Sequence, residues 1–530
     1  MLKTSLFQTK LSSIFLALAF VFGAPTPNIH AGQAHRVQKK AAIANPRVGR
    51  QPKLTPQKQP QELTAEEAAR KIGRKVYFAT GSATPISMVP LIRRYAVERE
   101  GRTDAFFMST FASAVNFKPE LKEKFHAVLL FISMSNRDAA TGGWTTMPRD
   151  NLFSLGKRLR ANEFGIDTIV VRVSPPDENG MVSLGTTGDT TMPAVESVIA
   201  RGGTIIAEMN PNVPYMKGTN RIPLHKISYL VKSQEPLSEL QQVMPNEIET
   251  EMSTNIAKLV PDGATIQVGI GGTLSGLGTS LLGKKRLRAW SEMGTDSWIL
   301  PLMQGETPVL KGGTFSFLHG TSSLYAFAAN NDKIQIADAT VVNDPAVIAT
   351  QPNMRSINTA LQVDTSGNTN AEQIDGKVIS AAGGQPNFME GAAASKTGRS
   401  IMALRSLNKH GASTVVISLQ GPVTTKGSFV DHVTTEWGNT PLLRNMAPQS
   451  KTFELIKIAH PAHRASLAKA ALTQGLISNS QRAAIDASVL PALLAAPLSF
   501  RKQAADVALS TTAITASNHA AIIATIPAPN

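Results

Sequence analysis

Ala264-Thr265-Ile266-Gln267-Val268-Gly269-Ile270-Gly271-Gly272-Thr273 reads as a short buried strand that exits through a glycine-rich turn, and Ser291-Glu292-Met293 follows in the next apolar stretch. Glycines at a strand exit let backbone N–H groups come close to a ligand, because no Cβ stands in the way. A carboxylate beside such donors can attack an activated acyl group while the amides hold the developing oxyanion. The pair predicts acyl-transfer chemistry with Glu292 as nucleophile. Spacing alone is weak support, because many α/β proteins carry a glycine turn after one strand and a glutamate on the next.

On either side of this stretch the chain alternates strand and helix signals. Lys75–Ala79, Ala127–Ile132, Thr168–Val173 and Thr204–Glu208 are short, continuous and apolar, as parallel strands buried on both faces should be. Thr265–Val268, Lys333–Ile336, Ser356–Val363 and Thr414–Ser418 repeat the pattern after a break near residues 234–250. Two similar open α/β lobes follow, over residues 62–240 and 241–476. The ligand site is expected at the carboxyl ends of the strands. Thr64 and Glu67 form a capping box that opens the first helix. Residues 477–530 are rich in Ala, Thr, Ser and Pro and read as a partly helical peripheral tail.

The chain of 530 residues is long enough for two or three domains. Its formal net charge of +15 is uneven, since residues 1–61 hold nine Lys/Arg and no acid, which leaves +6 over the rest. That distribution shows no focused basic stripe and argues against nucleic-acid binding by the body. Lys3 and Lys10 precede an apolar run, Ile14–Phe22, and small residues near Ala31 or Ala34 suit a cleavage site. Residues 1–31 therefore read as a signal peptide and the protein as exported or periplasmic, with a cytoplasmic or organellar protein as the alternative. Membrane contact is expected only through this segment if it stays uncleaved. Residues 32–61 read as a basic disordered linker. The absence of cysteine excludes a thiol nucleophile and Cys-ligated metal, and it leaves the compartment open.

Several further stretches occur in a telling order: Val173-Ser174-Pro175-Pro176-Asp177-Glu178-Asn179-Gly180, Gln267–Gly272, Ser291-Glu292-Met293, Val342–Ala349, Ser356–Ala360, Gly383-Gly384-Gln385-Pro386-Asn387-Phe388, Val433–Gly438 and Ile458-Ala459-His460-Pro461. Taken together, from about residue 140 to 465, they resemble the acetyl-CoA hydrolase/transferase family, which includes 4-hydroxybutyrate and acetate CoA-transferases. The resemblance implies two α/β lobes of the CoA-transferase type. It also implies that CoA passes between a short-chain acyl-CoA and a carboxylic acid through a glutamyl-CoA thioester on Glu292, with ping-pong kinetics.

By the same resemblance Gly269, Ile270, Gly271, Gly272 and Thr273 cradle CoA and Gly384 admits a close backbone approach at the thioester. Asn358 is then a hydrogen-bond donor to the acyl carboxylate, and Leu361 and Lys409 lie near further CoA contacts. No permanently bound cofactor and no metal are implied, coenzyme A being a substrate, and a homodimer stays open. Departures from the family pattern occur at Gly294-Thr295-Asp296-Ser297, in a shorter interval between Glu292 and Ser356, and at Asn387, where an aspartate is usual.

Other motifs lead elsewhere. Gly278–Lys285 approaches a P-loop but has Lys285 where Ser or Thr would hold Mg²⁺. His460 and His463 lack a third ligand nearby and are expected to cap or flank a helix. No G-x-S-x-G elbow occurs, which disfavours a serine hydrolase. Two rivals to transfer remain, a hydrolase using the same glutamate and an exported relative that binds ligand without turnover.

Overall fold

A computed structural model of the protein describes residues 59–81, 84–108, 118–133, 135–304 and 306–510, the last three by backbone only. The expected signal peptide, nearly all of the basic linker and residues 511–530 lie outside the described residues. Among the described residues, no helix is long and apolar enough to cross a membrane.

Two parallel sheets dominate. The first has seven strands in the order Gln61–Glu62, Tyr229–Lys232, Thr204–Met209, Thr168–Val173, Lys75–Phe78, Thr103–Phe107 and Phe125–Leu129. It is buried on both faces, because alternate residues of one strand feed different cores. Ile169, Val171 and Val173 pack with the helix Leu152–Arg160, whereas Val170 packs with Met88 and Ile92 of the opposite helix. The capping box of Thr64 and Glu67 is present at the first helix. Gln61, expected in the linker, already pairs with Tyr229.

The second sheet runs in the order Gly438–Asn439, His432–Thr435, Arg399–Ala403, Met354–Thr359, Thr265–Val268, Leu287–Gly294, Leu310–Leu318, Ile334–Ile336 and Lys217–Gly218. Only the pair at the Gly438 edge is antiparallel. The opposite edge strand, Lys217–Gly218, comes from the first half of the chain, so the halves interlock across residue 240. A loop of the first lobe also docks on the second sheet. Leu318 N–H donates to the Thr186 carbonyl at 2.8 Å, and the N–H groups of Gly188 and Asp189 donate to the Ser316 carbonyl at 2.9 and 3.0 Å.

Two strand expectations are corrected. Ser356–Val363 is not one strand, because it ends at Thr359 and a separate strand, Gln362–Asp364, enters a small three-stranded sheet. Thr414–Ser418 contributes Val415–Val416 to that same small sheet and not to the main one. Past residue 476 the chain is more regular than its composition suggested. Helices Asn479–Ala487, Val489–Ala495 and Leu498–Ser510 follow one another. Arg464 pins them, donating through Nε to the Ala459 carbonyl at 2.9 Å and reaching the Ser488 carbonyl at 3.4 Å.

Candidate active site

Glu292 lies near the end of Leu287–Gly294, a strand in the middle of the second sheet. Side chains alternate along it. Ala289, Ser291 and Met293 are buried, while Trp290 and Glu292 share the other face. On that face Trp290 Nε1 donates to the Val342 carbonyl at 2.9 Å and brings the short helix Ala339–Val342 alongside. Asn343, at its end, donates from Nδ2 to Glu292 Oε2 at 2.7 Å. Its own Oδ1 accepts from Ser316 Oγ at 3.1 Å. The amide plane is therefore held from both ends, and Ser316 is the residue whose carbonyl receives the first-lobe loop.

Gly384, the N-cap of the helix Gln385–Ala394, packs directly against Glu292 Oε2, and its backbone N–H favours the ionised carboxylate. The positive end of that helix faces the acid. Burial pushes Glu292 up to about 7, the bond from Asn343 opposes the rise, the nearby Asp189 carboxyl adds to it, and the Gly384 N–H opposes it more weakly. A carboxylate that ionises near neutrality is a competent nucleophile that gives up little solvation when it reacts.

Two cavities meet at Glu292. The smaller, about 250 Å³, is lined by Gln267, Gly269, Thr273, Asn358, Leu361 and the loop from Ile379 to Gln385. The larger, about 430 Å³, is mostly apolar and is lined by Met108, Phe131, Ile132, Met293, Phe317 and the glycine turn, together with Asp189 and Arg137. Gly269 and Ile270 line both.

The glycine turn has the conformation its composition allows. Gly271 sits at φ +122°, in the region that favours glycine. Gly269 N–H is taken by the Ile357 carbonyl at 2.7 Å. The N–H groups of Ile270, Gly271 and Gly272 have no acceptor among the described residues, which leaves them to a ligand. A side chain at Gly269 would meet Asn358 Oδ1 at 2.8 Å.

The structure thus brings Gly269, Ile270, Gly271, Gly272, Thr273, Asn358, Leu361 and Gly384 to the two cavities around Glu292. Lys409 and Asn358 stand differently from the rest. Lys409 is exposed on the loop after Arg399–Ala403 and lines neither cavity. Asn358 borders the smaller cavity, but its Nδ2 donates to Gln267 Oε1 and Ser356 Oγ, both at 2.9 Å. As a donor to an acyl carboxylate it is already engaged. Asn343 was missed as a functional residue. It lies in Val342–Ala349, and only a fold that joins residues 292 and 343 reveals its role.

The departures after Glu292 are structural. Asp296 accepts from Thr321 N–H at 3.0 Å and from the Thr321 hydroxyl, and Gly294 packs against Phe315 and Leu318. Asn387 Oδ1 accepts from Phe153 N–H at 3.4 Å, a contact between lobes. Gly278 of the P-loop-like stretch lies against Ser297 and Trp298, where a Cβ would not fit. His460 caps the helix Pro461–Thr473 by accepting from Ala462 N–H at 3.4 Å. Among the described residues no three potential metal ligands cluster.

The sequence matches two family models, described as the acetyl-CoA hydrolase/transferase N-terminal domain over residues 50–240 and its C-terminal domain over residues 320–471. It is 32% identical over 417 residues to a 4-hydroxybutyrate coenzyme A transferase of Clostridium kluyveri, spanning 76% of this chain and 96% of that one. It is 29% identical over 412 residues to a succinyl-CoA:acetate/propanoyl-CoA:succinate CoA transferase of Fasciola hepatica, spanning 76% and 85%. Among solved structures, that of a 4-hydroxybutyrate CoA-transferase from Porphyromonas gingivalis aligns with a TM-score of 0.66 at 28% identity, covering 78% of this chain and 98% of that one. RipA from Yersinia pestis aligns with a TM-score of 0.72 at 26% identity, covering 79% and 98%.

Proposed function

The chain belongs to the acetyl-CoA hydrolase/transferase family, and from that premise we propose that it moves CoA between a short-chain acyl-CoA and a carboxylic acid through a glutamyl-CoA thioester on Glu292. The observation that carries this reading is the Glu292 carboxylate, held by Asn343 Nδ2 and packed against Gly384, at the junction of two cavities.

Glu292 attacks the thioester carbonyl, giving a mixed anhydride and CoA thiolate. The thiolate then attacks the glutamyl carbonyl, releasing the free acid and leaving CoA on Glu292. A second acid reverses the steps and departs as its CoA ester. Each step exchanges one acyl bond for another, so atoms and charge balance without a cofactor. Asn343 holds one oxygen of the carboxylate, and Gly384 packs against the same oxygen. When Glu292 becomes an acyl group, the Asn343 amide faces the oxygen on which charge builds during attack. The unengaged N–H groups of Ile270, Gly271 and Gly272 are placed to take polar groups of the incoming thioester.

The hydrolase alternative uses the same nucleophile, with water resolving the thioester. An acceptor assay separates the two. Acetyl-CoA consumption that requires an added short-chain acid supports transfer, whereas equal consumption without any acid supports hydrolysis. The N-terminal charge and apolar pattern support an exported protein. N-terminal sequencing of the mature chain tests this, and an intact Met1 on cytosolic protein contradicts it.

A further inference from the structure

The larger cavity holds a charge that the reaction scheme does not use. Its walls include Met108, Phe131, Ile132, Met293 and Phe317, and among the described lining residues Arg137 is the single cation. Arg137 begins the short helix Arg137–Thr141 beyond the edge strand of the first sheet. Its Nε donates to the Ile379 carbonyl of the second lobe at 2.9 Å, which orients the guanidinium. No side-chain carboxylate lies within ion-pair distance of it. Every Asp and Glu of the chain falls among the described residues, and none pairs with Arg137.

The other acid in the cavity is turned to a different task. Asp189 accepts from Thr80 Oγ1 at 2.5 Å and from Thr191 N–H at 3.0 Å, and burial holds its carboxyl above the usual range. Charged groups bordering the cavity are therefore Glu292, Asp189 and Arg137.

Arg137 is half-buried beside apolar walls with no carboxylate partner, and its planar fork matches a carboxylate. We propose that Arg137 is a specificity-determining residue that receives the distal carboxylate of a dicarboxylic acyl group whose thioester carbon stands at Glu292. The substrate class is an acid with an apolar methylene body and a second anionic end. The walls strip water from the body, Arg137 neutralises the end, and the ionised Glu292 is relieved of the repulsion that a second carboxylate would otherwise bring.

The inference rests on the transferase reading for the identity of the reacting carbon, so its test has one arm that needs turnover and one that does not. In the first, kcat/KM is measured for succinyl-CoA and butyryl-CoA, which match in chain length, with acetate as acceptor. The ratio favours succinyl-CoA in the wild type, falls about 10- to 100-fold in Arg137→Met and recovers part of the way in Arg137→Lys, which keeps the charge but not the fork. An unchanged ratio, or an equal rise in KM for both esters, overturns the inference. The latter would assign the charge to the CoA phosphates.

In the second arm, free succinate and butyrate are titrated calorimetrically into Glu292→Gln protein. Succinate binds at least about tenfold more tightly, and the added Arg137→Met change removes the difference. Equal binding of the two acids overturns the inference even if transfer is intact, whereas failure of the transferase reading alone leaves this preference in place.

Discussion

A Cβ built on Gly384 would stand 1.6 Å from Glu292 Oε2 and 2.2 Å from Asn343 Nδ2, so the nucleophile occupies the space a side chain would need. Gly384 has φ −93°, a value open to any residue, and the requirement for glycine is steric and local to the carboxylate. Gly384→Ala is expected to displace Glu292 and lower kcat by at least about a hundredfold, since small misplacements of a reacting group are that costly. Thermal melting should change little by comparison. Full activity in this variant would show that the carboxylate does not work from the position seen here.

Asn343→Ala removes a 2.7 Å bond to the charged form of Glu292. Hydrogen bonds to charged groups contribute about 1.5–3 kcal/mol, so kcat/KM should fall roughly 10- to 100-fold at neutral pH. The loss should shrink at alkaline pH, because part of it reflects a carboxyl that is harder to ionise. A loss constant across pH would assign Asn343 to the transition state alone.

Because Glu292 is pushed up to about 7, kcat/KM should decline tenfold per unit as pH drops below that value. Stability moves the opposite way. An acid with a raised native pKa binds its proton more tightly when folded. Its favourable contribution is present below its unfolded value near 4.5 and is lost as pH rises through about 7. Glu292→Gln removes that dependence, so the variant should gain stability over the wild type between pH 5 and 8 in denaturant titrations. Parallel curves across this window would contradict the raised value.

Asp189→Asn tests the neighbouring charge. With the like charge gone, the acidic limb of kcat/KM should move to lower pH, and the high-pH plateau should be kept within about threefold. A lowered plateau with an unmoved limb would mean that Asp189 matters only for anchoring the first-lobe loop through Thr80 and Thr191.

Much of this site could be read before any coordinates. Thr168–Val173 and Thr265–Val268 were placed to the residue, because central parallel strands are buried on both faces and leave unbroken apolar runs. The strand that carries Glu292 was harder to see. Arg288 and Glu292 interrupt its apolar pattern on one face, and the buried Ser291 interrupts it on the other. Leu310–Leu318 was hidden by Lys311-Gly312-Gly313, which looks like a turn. The glycine turn and the nucleophile were legible because glycine in that setting has a local steric meaning. Asn343 and Arg137 were not, because each acquires its role only from a partner far away in the chain. Lys409, expected from the family resemblance near further CoA contacts, is exposed and lines neither cavity.

The most direct test of the central proposal is the site of covalent attachment. Protein incubated with acetyl-CoA, reduced with borohydride and digested should yield, by mass spectrometry, the peptide containing Ser291-Glu292-Met293 with the Glu292 carboxyl reduced to an alcohol, and Glu292→Gln protein should yield none. Modification at another residue, or undiminished exchange by Glu292→Gln, would contradict the account.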